Sequence, residues 1–283
     1  MRRRFGVRRR GYRHDMDFPR TAVVTGSDSG IGRAVAVALA AAGVNVGITY
    51  HTDRDGANNT AQEVRDNGAD AYVRHLDLTD LPNSSAVIDE LAAELGGVDV
   101  LVNCSGTGTA VPVMEMDFAT WREVLSVNLD GAFLCTQRAV RHMIDAGRGG
   151  RIINITSVHE HAPKFGAAPY CASKAGLGGL TKVLALELAQ YGITANSVAP
   201  GEISTPMTGQ TDEEPRAKDR PGVPGRRPGD AREVAAVVSF LASPEASYVT
   251  GSSYVVDGGM LLMGPEANAR LQSGEWTVAS GNA

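Results

Sequence analysis

Short apolar runs alternate with longer amphipathic stretches along most of the chain, and that alternation predicts the architecture. Runs at 21–25, 45–50, 69–76, 98–102, 151–156, 193–199 and 253–256 are rich in Val, Ile and Ala. Compact apolar runs of this kind read as strands buried on both faces. Between them, 33–42, 55–67, 81–95, 118–146, 172–191 and 230–242 carry apolar residues at the three-to-four spacing of helices with one buried face. Regular alternation of strand and helix implies right-handed crossovers and hence an α/β fold, a doubly wound parallel sheet covered on both sides. Ligands of such sheets gather at the carboxyl ends of the strands, which would bring Ser27, Asn103, Ser157 and Pro200 to one rim.

A chain of 283 residues with 43% hydrophobic and 21% charged residues suffices for one domain with its own core. Both ends depart from the pattern. Residues 1–20 hold eight arginines without periodicity, and Asp15, Asp17 and Pro19 follow where a secretion signal would be apolar. We expect a disordered basic arm, or a start at Met16; an arm for nucleic acid or an anionic surface is the sharper alternative. The net charge of −5 gives no general case for a nucleic-acid partner. The expected layout is an arm at 1–20, one domain at 21–263 and a tail or inter-subunit arm at 264–283. No apolar run reaches the ~18 residues of a membrane span. Cys104, Cys135 and Cys171 lack metal-ligand spacing, so free thiols in a reducing, cytoplasmic setting are expected.

The candidate chemistry begins where the strand Thr21-Ala22-Val23-Val24-Thr25 runs into Gly26-Ser27-Asp28-Ser29-Gly30-Ile31-Gly32 and then into a helix. Backbone N–H groups and a helix N-terminus in that context can cradle a pyrophosphate. The spacing G-x-x-x-G-x-G differs from the common G-x-G-x-x-G fingerprint, and a plain glycine loop is the other reading. Farther on, Ser157 closes the strand-like run 150–156, and Tyr170 and Lys174 stand one helical turn apart. An ammonium beside a phenol favours the phenolate, lowering a pKa of ~10 toward neutrality, which suits proton transfer at a carbonyl or alcohol oxygen. Alone, the pair reads first as a surface contact.

Together, Thr25-Gly26-x-x-x-Gly30-Ile31-Gly32, Asn103-Cys104-Ser105-Gly106, Asn128, Ser157, Tyr170-x-x-x-Lys174 and Pro200-Gly201 resemble the signature set of the classical short-chain dehydrogenases/reductases, across about 21–263. The wording Ser157-Val158-His159-Glu160 and Asp257-Gly258-Gly259-Met260 is similar to the branch holding bacterial glucose 1-dehydrogenases, 3-oxoacyl-carrier-protein reductases and diacetyl/acetoin reductases. The resemblance implies a Rossmann fold and hydride transfer between a nicotinamide cofactor and a carbonyl/alcohol pair. It implies Tyr170 as general acid/base and Lys174 as the group that lowers its pKa and binds the nicotinamide ribose. Ser157 would hydrogen-bond the reacting oxygen, and Asn128 would hold a water for proton exchange. Cofactor contacts would come from Gly26, Ser29, Gly30, Ile31 and Gly32, from Asp77 and Leu78 near the adenine, from Asn103 and Gly106 under the adenosine ribose, and from Pro200, Gly201, Ile203 and Thr205. The family commonly has Asn-Asn-Ala-Gly where this chain has Asn-Cys-Ser-Gly.

NAD preference usually needs a carboxylate at the end of the second strand. Tyr50 stands there, followed by His51, Thr52 and Arg54, so NADP(H) is favoured over NAD(H), with Asp28 and Asp53 pulling the other way. His159, Glu160 and Glu202 are candidate substrate contacts, and 204–224 reads as a lid. His159 and His161, two apart with no third ligand, do not make a metal site. A ketone, diketone or 3-oxoacyl substrate is expected; glucose or a polyol is the alternative, and a non-catalytic dinucleotide sensor the third reading. The resemblance also implies a homotetramer built through 118–146 and 172–191, with Leu177, Leu180, Val183, Leu184 and Leu188 as apolar surplus and Gly176, Gly178 and Gly179 permitting close approach.

Overall fold

The computed structural model describes residues 19–209, 214–264, 267–269 and 273; nearly all of the basic arm and the tail lie outside the described residues. The strands are β1 (Thr21–Val24), β2 (Asn45–Tyr50), β3 (Ala71–His75), β4 (Val100–Asn103), β5 (Gly150–Ile155), β6 (Ile193–Pro200), β7 (Ile203–Ser204), β8 (Gly229–Asp230) and β9 (Ser253–Val256). Seven form one parallel sheet in the order β3-β2-β1-β4-β5-β6-β9, and β7 pairs with β8. The helices are α1 (Gly30–Ala41), α2 (Arg54–Asp66), α3 (Val87–Leu95), α4 (Phe118–Leu125), α5 (Gly131–Ala146), α6 (Ala168–Leu188) and α7 (Ala231–Ala242).

Consecutive apolar residues are needed because side chains alternate between faces. Val24 joins a core with Val35, Leu39, Ile48 and Val238 under α1, α2 and α7. Its neighbour Val23 joins Ile88, Leu91, Leu101 and Met143 on the other face. Because β1 pairs with β2 on one side and β4 on the other, the winding reverses there. A crevice therefore opens above the carboxyl ends of β1 and β4.

The long helical stretch 118–146 is not continuous. A π turn at Ser126–Asp130 separates α4 from α5. There Ser126 Oγ donates to the Leu78 carbonyl at 2.8 Å, and a Cβ on Gly131 would meet the Leu78 side chain at 2.9 Å. The wider turn lets this segment seat the loop that follows β3. Three further helix starts move, and α3 begins at Val87 rather than 81, after a 3-10 turn at Asn83–Ala86. α1 begins at Gly30 rather than 33, and α6 begins at Ala168, with Pro169 in its first turn where no intrahelical N–H is needed.

The apolar surplus is also redistributed. Leu177 and Leu188 are buried within the subunit, whereas Phe118 and Leu186 are 75% and 82% exposed. Gly176 and Gly178 make room for Leu129 and Glu160 of the same chain, and only Gly179 faces open space.

Candidate active site

A cleft of about 430 Å³ runs over the carboxyl ends of the central strands. At one end the chain leaves β1 through Gly26 and enters α1 at Gly30, both with positive φ (60° and 52°). Ser27 is wholly buried and clamps this turn, donating to the Val24 carbonyl at 2.7 Å and accepting from Thr49 N at 3.1 Å. The N-terminus of α1 has no side-chain cap and no acid in its first turn. Its N–H groups, with the positive end of the helix dipole, form part of the cleft wall at Gly30, Ile31 and Gly32. That is the donor set a pyrophosphate requires, so the residues fit a dinucleotide.

The turn after β4 is fixed by Thr25, whose Oγ1 accepts from Cys104 N at 2.9 Å and Ser105 N at 3.1 Å. The Cys104 departure thus leaves the turn intact. Burial pushes its thiol up to about 12, which makes it a poor thiolate.

At the other end Ser157, Tyr170 and Lys174 converge in the cleft wall. Ser157 follows β5 in extended backbone, and its Oγ accepts from His159 N at 3.1 Å. The buried Lys174 donates to the Ile155 carbonyl at 2.8 Å and lies 5.7 Å from the Tyr170 ring centroid. Burial pushes the Lys174 ammonium down to about 8. The Tyr170 phenol is raised, not lowered: burial dominates, opposed by the hydrogen bond with Ser157, while Cys171 and Cys104 add to the rise. Lys174 sits over the ring face and is anchored on a backbone carbonyl, so the expected lowering of the phenol by the ammonium is not met in this arrangement.

The cleft also takes in Ser29, His51, Thr52, Asp77, Leu78, Gly106, Pro200, Gly201, Ile203 and Thr205, as expected from the sequence. Asp77 accepts from Thr79 Oγ1 and N at 2.7 and 2.8 Å, bonds that hold its carboxyl below the usual range. Six candidates fall outside the wall. Tyr50 turns its ring edge-on to His75 at 5.4 Å. Asn103 is a buried tie, donating to Thr136 Oγ1 and Asn154 Oδ1. Asn128, within the π turn, accepts from Thr107 N at 2.8 Å and donates to Thr107 O and Ser173 Oγ. His159 stands behind Tyr170, ring centroids 6.2 Å apart, with Nδ1 on the Ala162 carbonyl. Glu160 is packed under α6, and Glu202 pairs with Arg220 at 2.6 Å. The wall gains Met207 from the expected lid, and Thr107, Glu123 and Val127, which no motif marked. Glu123 and Val127 sit one helical turn apart, the available signal for a shared face.

Comparison with known proteins agrees with this geometry. Residues 26–261 match the family model described as enoyl-(acyl carrier protein) reductase. The crystal structure of acetoin dehydrogenase YohF from Salmonella typhimurium is similar with a TM-score of 0.83 and 50% identity, covering 87% of this chain and 98% of that one. An uncharacterized oxidoreductase, YohF, of Escherichia coli is 48% identical over 87% of this chain and 98% of its own length. Glucose 1-dehydrogenase 2 of Bacillus subtilis is 39% identical over 86% and 95%. With the cradle, the parallel sheet and these likenesses in agreement, the chain belongs to the short-chain dehydrogenase/reductase family and is a nicotinamide-dependent oxidoreductase that interconverts CH–OH and carbonyl groups.

Proposed function

We propose that this enzyme reduces a small ketone, diketone or 3-oxoacyl group, and oxidises the matching alcohol, with Tyr170 passing the proton. The observation that carries the reading is the meeting of Ser157, Tyr170 and Lys174 in the cleft that the α1 cradle also walls. The cofactor, when bound, supplies or takes the hydride. Ser157 donates a hydrogen bond where negative charge grows on the substrate oxygen. Tyr170 gives its proton to that oxygen in reduction and takes it back in oxidation. Lys174, anchored on the Ile155 carbonyl beside the Tyr170 ring, would bind the nicotinamide ribose. Asn128 holds the Thr107 turn against α6, with Gly106 so close that a Cβ there would lie 3.5 Å from both Asn128 Oδ1 and Lys174 Nζ.

A small carbonyl suits the cleft better than a sugar. Glu160 and Glu202, the carboxylates that would grip a polyol, are engaged elsewhere, whereas Val127, Ile155 and Met207 give the wall apolar surface. The acetoin dehydrogenase likeness supports the same choice. Glucose or another polyol is the alternative, favoured by the Bacillus subtilis relative. An absorbance assay of reduced nicotinamide, run with both cofactors against diacetyl, acetoin, an acetoacetyl thioester and glucose, tests it. Turnover of glucose alone would reject the carbonyl reading, and no turnover of any substrate would favour a sensor.

NADP(H) is the cofactor we infer. His51 and Thr52 line the cleft just after β2. Of the two opposing acids, Asp53 is turned to capping α2 through Gly56 N at 2.8 Å, and burial raises the Asp28 carboxyl from its ordinary value. Because Tyr50 points at His75, the informative substitution is His51→Asp. It is expected to move the ratio of kcat/KM for the two cofactors at least ~10-fold toward NAD, the equivalent of about 1.4 kcal/mol. An unchanged ratio would reject His51 as a 2′-phosphate contact.

We further infer a cytoplasmic homotetramer. Phe118, Phe133, Val183 and Leu186 expose one apolar face across α4, α5 and α6, and Phe240, Tyr248 and Val255 a second at the β9 edge. Two independent faces on one chain are what dihedral assembly needs. Light scattering after size exclusion should return four chain masses; a single-chain mass at micromolar concentration would reject the assembly. Among the described residues, no helix is long and apolar enough to cross a membrane.

A further inference from the structure

Glu160 turns out to be a buried group rather than a wall of the cleft. Its side chain is 6% exposed. It rests against Gly178, where any Cβ would overlap the carboxylate. Oε2 accepts from Ser253 Oγ on β9 at 3.3 Å, and His161 Nε2 lies 3.9 Å from Oε2 and 3.1 Å from Ser253 Oγ. The loop that carries it is bound back to the active site, since Glu160 N donates to the Ser157 carbonyl at 2.8 Å. Gly178 is one turn beyond Lys174 on α6, so the carboxylate lies under the same helix face as the ammonium.

The titratable groups facing Lys174 are Tyr170 from its own helix, Cys104 from the turn after β4 and Glu160 from the loop after β5. Those facing Glu160 are His161 on its own loop and Lys174 on α6, with Ser253 as the neutral partner from β9. Of the groups facing Lys174, Cys104 is neutral at physiological pH, its thiol being pushed up to about 12. That leaves Glu160 as the acidic one.

We propose that Glu160 is a positioning residue for the proton relay: a buried counter-charge that keeps the Lys174 ammonium charged through the working pH range. This rests on the reading of Tyr170 and Lys174 as the relay. Burial pulls Lys174 down, and it stands at about 8 with the Glu160 carboxylate already working against that pull. Lys174 is charged below its pKa and loses the proton as pH rises through it. Taking the opposing charge away should bring that loss to lower pH. For an opposing unit charge in a partly screened interior, the displacement is on the order of one pH unit.

The chain has four lysines, Lys164, Lys174, Lys182 and Lys218, so lysine selectively labelled with 13C at Cε gives an assignable spectrum, with Lys174→Ala identifying the buried signal. In Glu160→Gln, which keeps the shape and the Ser253 bond, the Lys174 titration midpoint is expected to fall on the order of one pH unit, and the alkaline limb of kcat/KM to fall with it. Ser253→Ala loosens the same packing without touching the charge and should leave the midpoint in place. An unmoved midpoint in folded Glu160→Gln overturns the inference, as does an equal shift in Ser253→Ala. Should Glu160→Gln fail to fold, Glu160→Asp draws the charge back by one methylene and must move the midpoint the same way by less; no movement there overturns the inference too. Wild-type turnover by Lys174→Ala would instead overturn the relay reading, whatever the midpoint does.

Discussion

Tyr170→Phe is expected to lower turnover by ~10²–10⁴-fold, the usual worth of a positioned proton donor, while cofactor affinity stays close to wild type. The substitution removes one oxygen and leaves the ring. That ring fills the space beside Gly108, where a Cβ would stand 3.5 Å from it, and meets His159 edge-on, so packing is retained. The lost group is the one that shares a hydrogen bond with Ser157. Single-turnover kinetics with saturating cofactor, beside a direct binding titration, separate the two effects. Wild-type turnover on every substrate found would sink the assignment of Tyr170 as acid and base.

The second large effect is expected at the opposite end of the cleft. A Cβ on Gly32 would collide with the Gly26 carbonyl and come within 2.9 Å of Ser27 Cα. Both are backbone atoms of a turn that Ser27 already clamps to β1 and β2, so they cannot yield as a flexible side chain would. Overpacking of this kind costs ~1–3 kcal/mol, or about 10–100-fold in an equilibrium constant. Gly32→Ala should therefore weaken cofactor binding by that factor, with a smaller effect on turnover at saturating cofactor. Calorimetric titration checks it, with circular dichroism to establish the fold; unchanged affinity in a folded variant would reject Gly26–Gly32 as the cofactor cradle.

The sheet and its layers could be read from the sequence because strands buried on two faces must be apolar at consecutive positions, as Val23 and Val24 are. The helix starts could not. Gly30 opens α1 despite its poor helix propensity, since the turn needs its positive φ more than the helix needs a better former. The π turn was hidden because the apolar spacing continues across it. At the site, residues marked by a glycine turn or by motif spacing were legible: the glycines, Ser157, Tyr170 and Lys174. Glutamates outside that spacing were not. Nothing local separates a Glu that reaches a cleft from one that folds under a helix, as Glu160 does, or pairs with an Arg, as Glu202 does. Asn103 likewise sits in a motif, yet its amide ties β4 to β5 and α5. The phenol's raised value reflects burial, which depends on everything packed around it.

The π turn at Ser126–Asp130 has a consequence for how this chain can change length. One extra residue in a helix advances the angular phase of everything after it by about 100°. Before the insertion, α4 presents Glu123 to the cleft; after it, α5 sends Cys135, Ala139 and Met143 into the core. Both orientations hold together only because the surplus residue offsets one helix against the other. Removing a single residue between 126 and 130 would restore regular helix and rotate α5 about its axis, so that either the cleft wall or the core is lost. A one-residue gap here is thus far more damaging than a one-residue gap in a surface loop, and a lineage could cross it only with a compensating insertion in the same two turns.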